Sequence, residues 1–214
     1  MQIIKEKDSR KVCYMILPGG FNEEVSGYLR EASSSYGLNI VIIDDAVWND
    51  DLTPWPAPGV FKKAKPFGGQ AESFLTRLTE ETVPQAEEEL GIEGKPSQRL
   101  LAGISLSGLF AVWAAHRTDT FSDIISISGS LWYDGFIEWM ETAELSPSIK
   151  KVALVLGDRE KNSKEKRMAT VEARTAKAAA LLKSQCDGVS FDLVEGTHFS
   201  PVAPRLELAF KKIF

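Results

Sequence analysis

Short, unbroken apolar runs recur along the chain, and between them apolar residues fall at every third or fourth position. KVCYMIL (11–17), LNIVIID (38–44), RLLAGIS (99–105), FSDIISISGS (121–130) and VALVLG (152–157) predict buried strands, and the alternation in VSFDLVEG (189–196) predicts a sixth. Residues 23–34, 70–90, 164–184 and 202–213 predict helices, as does the stretch opening at Leu106. Strands that are apolar throughout are buried on both faces, as in a parallel sheet covered by helices. The β-α alternation therefore predicts a three-layer α/β sandwich: a mostly parallel sheet of about six strands, right-handed crossovers and helices on both faces. No internal repeat or low-complexity linker divides the chain, which predicts one domain over residues 1–214. Residues 45–69, with four prolines, two tryptophans and no clear period, predict a long irregular loop.

Gly103-Ile104-Ser105-Leu106-Ser107-Gly108 interrupts the most apolar stretch of all, between a predicted strand and a predicted helix. A sharp strand-to-helix turn is where α/β-hydrolases hold a nucleophilic serine clear of the sheet edge. Gly103, two residues before Ser105, leaves the approach open; the small Ser107, two after, lets the helix pack close to the strand. The plainer reading is a turn shaped by Gly103, with Ser107 as helix cap. A serine hydroxyl needs an adjacent base. Of two histidines, His116 lies about three turns along the helix from Ser105 and cannot reach it. His198 follows the last predicted strand, where the fold places its base. The acid that orients the base would come from GDREKN, after VALVLG, where Asp158 and Glu160 are both available. The order Ser, acid, His is that of α/β-hydrolases. Backbone N–H groups of Leu106 and Gly20 are the candidates for an oxyanion hole, Gly20 belonging to the Pro18-Gly19-Gly20-Phe21 turn after the first predicted strand.

Taken together, GISLSGLFA, ISGSLWYDG (127–135), LTPWPAP, GDRE and GTHF resemble the putative-esterase branch of the α/β-hydrolase superfamily, which includes enterobactin-type siderophore esterases and esterase D-like enzymes. The resemblance runs from about residue 11 to the end of the chain. It implies an α/β-hydrolase-like sandwich with a minimal cap, Ser105 as nucleophile, His198 as base and, from the G-x-x-E-like loop, Glu160 as acid in preference to Asp158. Two departures stand out: Ile104 occupies the place of a common His, and Ser107 that of a Gly.

Composition narrows the rest. Hydrophobic residues make up 43% of 214, charged residues 26%, and the formal charge is −5, which argues against a nucleic-acid footprint. KNSKEKR (161–167) mixes in Glu165 and predicts a solvated helix start. Two cysteines, Cys13 in an apolar run and Cys186, are too few for a disulfide scaffold. Neither a signal-peptide pattern nor a bilayer-length apolar run is present, so a cytoplasmic protein without a membrane partner is expected. The expectation is a serine hydrolase cleaving a small acyl or lactone ester through an acyl-enzyme, with no cofactor and no metal. Trp48, Trp55 and Trp132 would wall its acyl pocket, whereas Trp113, inside a helix, is expected in the core. The alternatives are a non-catalytic hydrolase-fold binding protein and an acyltransferase using the same triad.

Overall fold

The computed structural model describes residues 1–20, 23–61 and 63–214. Its elements in chain order are β1 (Gln2–Ile4), β2 (Val12–Ile16), α1 (Glu23–Tyr36), β3 (Asn39–Ile43), α2 (Trp48–Asp51), β4 (Pro56–Ala57), β5 (Phe67–Gly68), α3 (Ala71–Arg77), α4 (Val83–Leu90), β6 (Arg99–Ile104), α5 (Leu106–Ala114), β7 (Asp123–Ile127), α6 (Phe136–Met140), β8 (Lys151–Gly157), α7 (Val171–Lys183), β9 (Gly188–Val194) and α8 (Ala203–Ile213).

Seven strands form one sheet in the order β1-β3-β2-β6-β7-β8-β9. All six predicted strands are present and mutually parallel, and β1 adds an antiparallel edge that the sequence did not announce. With three residues, none of them buried, β1 has too little apolar pattern to be read. Successive residues of β2 point into different cores: Val12, Tyr14 and Ile16 join α3 to α7 on one face, while Cys13 and Met15 meet α1 and α8 on the other. That two-sided burial accounts for the continuous apolar runs, and each fully buried Leu or Ile contributes about 1.5–3 kcal/mol. Trp113 lies in the first of these cores, and Cys13, its thiol pushed up by burial, lies in the second.

Three expectations need correction or refinement. Residues 45–69 are not one irregular loop; they hold α2 and the β4–β5 pair. The helix expected over 70–90 is present from Ala71 to Leu90 but is not regular throughout, since a five-residue π turn, Leu78–Thr82, lies between α3 and α4. Pro84 in the first turn of α4 accounts for the π turn, because proline cannot donate and its ring crowds the carbonyl four residues back. The helix expected over 164–184 begins only at Val171, so KNSKEKR forms turns and short 3-10 segments rather than a helix start.

The chain runs β2 to β3 toward one edge, then crosses back to place β6 on the other side of β2. In open α/β sheets ligands bind beyond the carboxyl ends of the strands at such a switch point. Ser105 follows β6 there, and Gly19-Gly20 follows β2.

Candidate active site

Ser105 has φ +61 and ψ −117, one of three non-glycine residues with positive φ among those described. A serine in that region is strained by about 1–3 kcal/mol and persists only where its surroundings impose it. Here they do. Its N–H donates to Ile127 O at 2.9 Å, and its carbonyl accepts from Ser130 N at 3.0 Å and Leu109 N at 3.0 Å. A Cβ at Gly103 would come within 2.3 Å of the Ser107 backbone, and one at Gly108 within 2.8 Å of Ser126 Oγ. Both glycines therefore let β6, β7 and α5 pack closely around the turn. Ser107 is buried and its hydroxyl bridges the Ile104 N–H and C=O, each at 2.8 Å, so it ties the strand end rather than capping the helix. Leu106 opens α5, where the first N–H groups have no intrahelical acceptor.

His198 and Glu160 come together on the loops that follow β9 and β8, at the same carboxyl edge of the sheet as Ser105. His198 Nδ1 is 2.9 Å from Glu160 Oε2. Glu160 is only 6% exposed. Its other oxygen, Oε1, accepts from Gly157 N at 2.7 Å, Ser128 Oγ at 2.6 Å and Arg205 Nη1 at 3.1 Å. Burial opposes ionisation of this carboxyl, but bonds from His198, Ser128 and Gly157 outweigh it and hold the group below its usual range. Asp158, the alternative acid, instead accepts the Gly196 N–H at 2.9 Å and fastens the two loops together. Their contact is close: a Cβ at Gly157 would lie 2.5 Å from Gly196 O. His116 is beside Trp139, with ring centroids 5.2 Å apart, and takes no part in the site.

No hydrogen bond joins Ser105 to His198. Ser105 Oγ lies 3.4 Å from Ser130 Oγ. Ser105 and His198 line adjoining cavities of about 220 and 290 Å³ that share Met168 and Phe199 as walls. Trp48 and Trp132 line the first cavity with Ser105 and Leu106. Trp55 does not. Its indole N–H donates to Asp134 O at 2.9 Å and its ring packs on Tyr133, Phe136 and Trp139, so it anchors the 45–69 segment to the core instead of walling a pocket. Gly20, with φ +84, donates its N–H to Leu17 O at 3.0 Å and closes a turn; Phe21 lies outside the described residues.

Sequence reasoning missed Ser128, Ser130 and Arg205. ISGS held the two serines in plain view, and Arg205 stands beside the apolar stripe Leu206, Ala209, Phe210 and Ile213 of α8, where a charge needs a buried partner.

A parallel sheet with a strained serine at the end of β6, and a carboxylate-imidazole pair on the loops after β8 and β9, defines the class of α/β-hydrolases. The sequence profile of the Esterase family, described as putative esterase, matches residues 24–200; the chain belongs to that family and is a carboxylic ester hydrolase. A Bacillus subtilis (strain 168) relative, YbbA, is 30% identical, with 71% of this chain and 69% of that protein covered. Among solved structures, an IroE-like serine hydrolase from Shewanella oneidensis has a TM-score of 0.81 at 20% identity, covering 99% of this chain and 74% of that one. The siderophore hydrolase EstA from Aspergillus nidulans has a TM-score of 0.68 at 21% identity, covering 96% and 82%. At these identities the structures attest to the fold. No helix among the described residues is long and apolar enough to cross a membrane.

Proposed function

We propose that the protein hydrolyses a small carboxylic ester, acyl or lactone, through a Ser105-His198-Glu160 triad and an acyl-enzyme. The observation that carries this reading is the 2.9 Å contact between His198 Nδ1 and buried Glu160, in a chain whose Ser105 occupies a strained strand-to-helix turn. Glu160 fixes the Nδ1–H tautomer, which leaves Nε2 free to take a proton. Ser105 Oγ attacks the ester carbonyl, and its proton passes to His198. The imidazolium returns the proton to the departing alcohol. Water then attacks the acyl-enzyme with His198 again as base, and the acid leaves with Ser105 restored. Bonds of this kind are often long without substrate and tighten in the complex with it.

Leu106 N–H is the first oxyanion donor. Gly20 can be the second only if it releases Leu17 O. Trp48 and Trp132 suit an apolar acyl or aryl group. The siderophore hydrolases of Aspergillus nidulans and the enterobactin esterase of Shigella flexneri among the structural neighbours make siderophore-type esters the first natural substrates to try, although the chain spans about half (53%) of the Shigella enzyme. A cytoplasmic enzyme working on a small molecule, without nucleic-acid or membrane partner, fits the charge of −5.

The test is a fluorophosphonate probe combined with a panel of p-nitrophenyl esters of increasing chain length. Wild type should be labelled and should turn over the shorter esters; Ser105→Ala should do neither. Labelling that persists in Ser105→Ala would overturn the assignment. An alcohol acceptor that outcompetes water would point to acyl transfer instead.

A further inference from the structure

Arg205 projects from the first turn of α8 and is 3% exposed. One guanidinium nitrogen, Nη1, donates to Glu160 Oε1 at 3.1 Å and to the Ser128 hydroxyl, which itself donates to Oε1 at 2.6 Å. The other, Nη2, donates to Ser200 O at 2.6 Å and Pro201 O at 3.4 Å. Ser200 and Pro201 end the short segment that carries His198, and the Ser200 hydroxyl accepts the Thr197 N–H at 2.9 Å. A single planar fork therefore spans the acid on one side and the loop of the base on the other. A lysine, with one point-like ammonium, cannot hold both.

We infer that Arg205 is a positioning residue for ester hydrolysis: it saturates Glu160 Oε1 so that only Oε2 faces His198, and it fixes the His198 loop at the distance this contact needs. The inference rests on the triad proposed above. A carboxylate with both oxygens free could meet the imidazole in several poses. With Ser128, Gly157 and Arg205 on Oε1, one pose remains. The other charged groups nearby are already committed. Asp158 holds Gly196 N–H, Arg159 faces Asp158 and Glu195, and Lys161 pairs with Glu172 of α7. None of them replaces the buried guanidinium.

Activity per probe-labelled serine, followed across pH, tests this. Arg205→Met should lower kcat about 10- to 100-fold with KM within about threefold. The acidic limb of kcat/KM should also move to higher pH by about one unit, because loss of a buried cation makes the Glu160-His198 pair hold its proton more tightly. A purely structural role would reduce the amount of folded, labelled enzyme and leave both per-site kcat and the limb where they were; that result overturns the inference. If Arg205→Met does not fold, Arg205→Lys decides. It keeps the charge and loses the span, so per-site kcat should fall about 5- to 10-fold with the limb in place, and an unchanged kcat refutes the positioning role. Glu160→Gln is measured alongside. If it too is silent, the triad reading fails; if it is crippled while both Arg205 variants are silent, only the role of Arg205 fails.

Discussion

The acid end of the site and its mouth are built in opposite ways. Glu160, Ser128 and Arg205 are buried together, and both oxygens of the Glu160 carboxylate are matched by donors. Around Ser105 the cavity opens past Trp48, Phe61, 66% exposed, and Phe199, 89% exposed. Chemistry that depends on one imidazole tautomer needs the first kind of surroundings. Admission of a substrate of some particular shape needs only the second. Phe199 adjoins His198 in sequence, with ring centroids 5.3 Å apart, so the boundary between the two regions falls within one dipeptide.

The contrast can be broken most severely at the serine. Ser105→Ala should lower kcat by at least about 10⁴-fold, with a near-unchanged circular dichroism spectrum. Next is the acid. Glu160→Gln should lower kcat by at least about 10²-fold with the fold intact, because the wrong tautomer of His198 is then held in place, whereas Asp158→Asn should cost much less. Kinetics of the two variants side by side decide the acid, since a larger loss in Asp158→Asn would reverse it. At the mouth, effects should appear in binding. Trp132→Ala and Phe199→Ala should raise KM for long-chain p-nitrophenyl esters about three- to tenfold and spare kcat, each ring face being worth about 0.7–1.4 kcal/mol. A loss confined to kcat would place these rings in the chemistry instead.

Smaller effects should appear in stability against pH. The folded Glu160 carboxyl lies below its ordinary value of 4.5, so its contribution is complete above that pH and is lost on acidification through the folded value. Burial likewise lowers His116 from 6.5 in spite of a backbone contact at Glu144. The unfolded chain therefore takes up that proton first, and stability falls as the pH drops below 6.5. Urea midpoints measured between about pH 7 and pH 2.5 should decline more steeply for wild type than for Glu160→Gln at the acid end and for His116→Leu at the neutral end. Parallel slopes would contradict both attributions.

How much of this was legible in sequence depended on the range of the contacts. VALVLG and LNIVIID announce strands because each residue of a two-faced strand must be apolar, a demand that acts residue by residue. Ser105 and its glycines could be read because a sharp turn confines its requirements to six consecutive positions. Glu160 was preferred to Asp158 by resemblance; in the structure Glu160 meets His198 and Asp158 accepts the Gly196 N–H, contacts that each span 38 positions and leave no trace in the local sequence. The function of Arg205 was hidden for the same reason, since its partners lie 45 and 77 residues distant. Trp55 was misjudged because an indole in a proline-rich segment looks alike whether it lines a cavity or plugs the core. What separates the two is its bond to Asp134 O, 79 residues on.

The positive φ of Ser105 means that the enzyme is less stable than its own sequence permits. A glycine there would accept φ +61 without strain, whereas alanine would keep the strain and lose the hydroxyl. Ser105→Gly should therefore unfold at higher denaturant than Ser105→Ala, by about 1 kcal/mol, despite the greater freedom glycine gives the unfolded chain. Selection for robustness alone would drift toward glycine at this position. With Ser105 as the proposed nucleophile, a serine held there trades durability for turnover, and a variant selected by melting temperature alone would tend to lose activity.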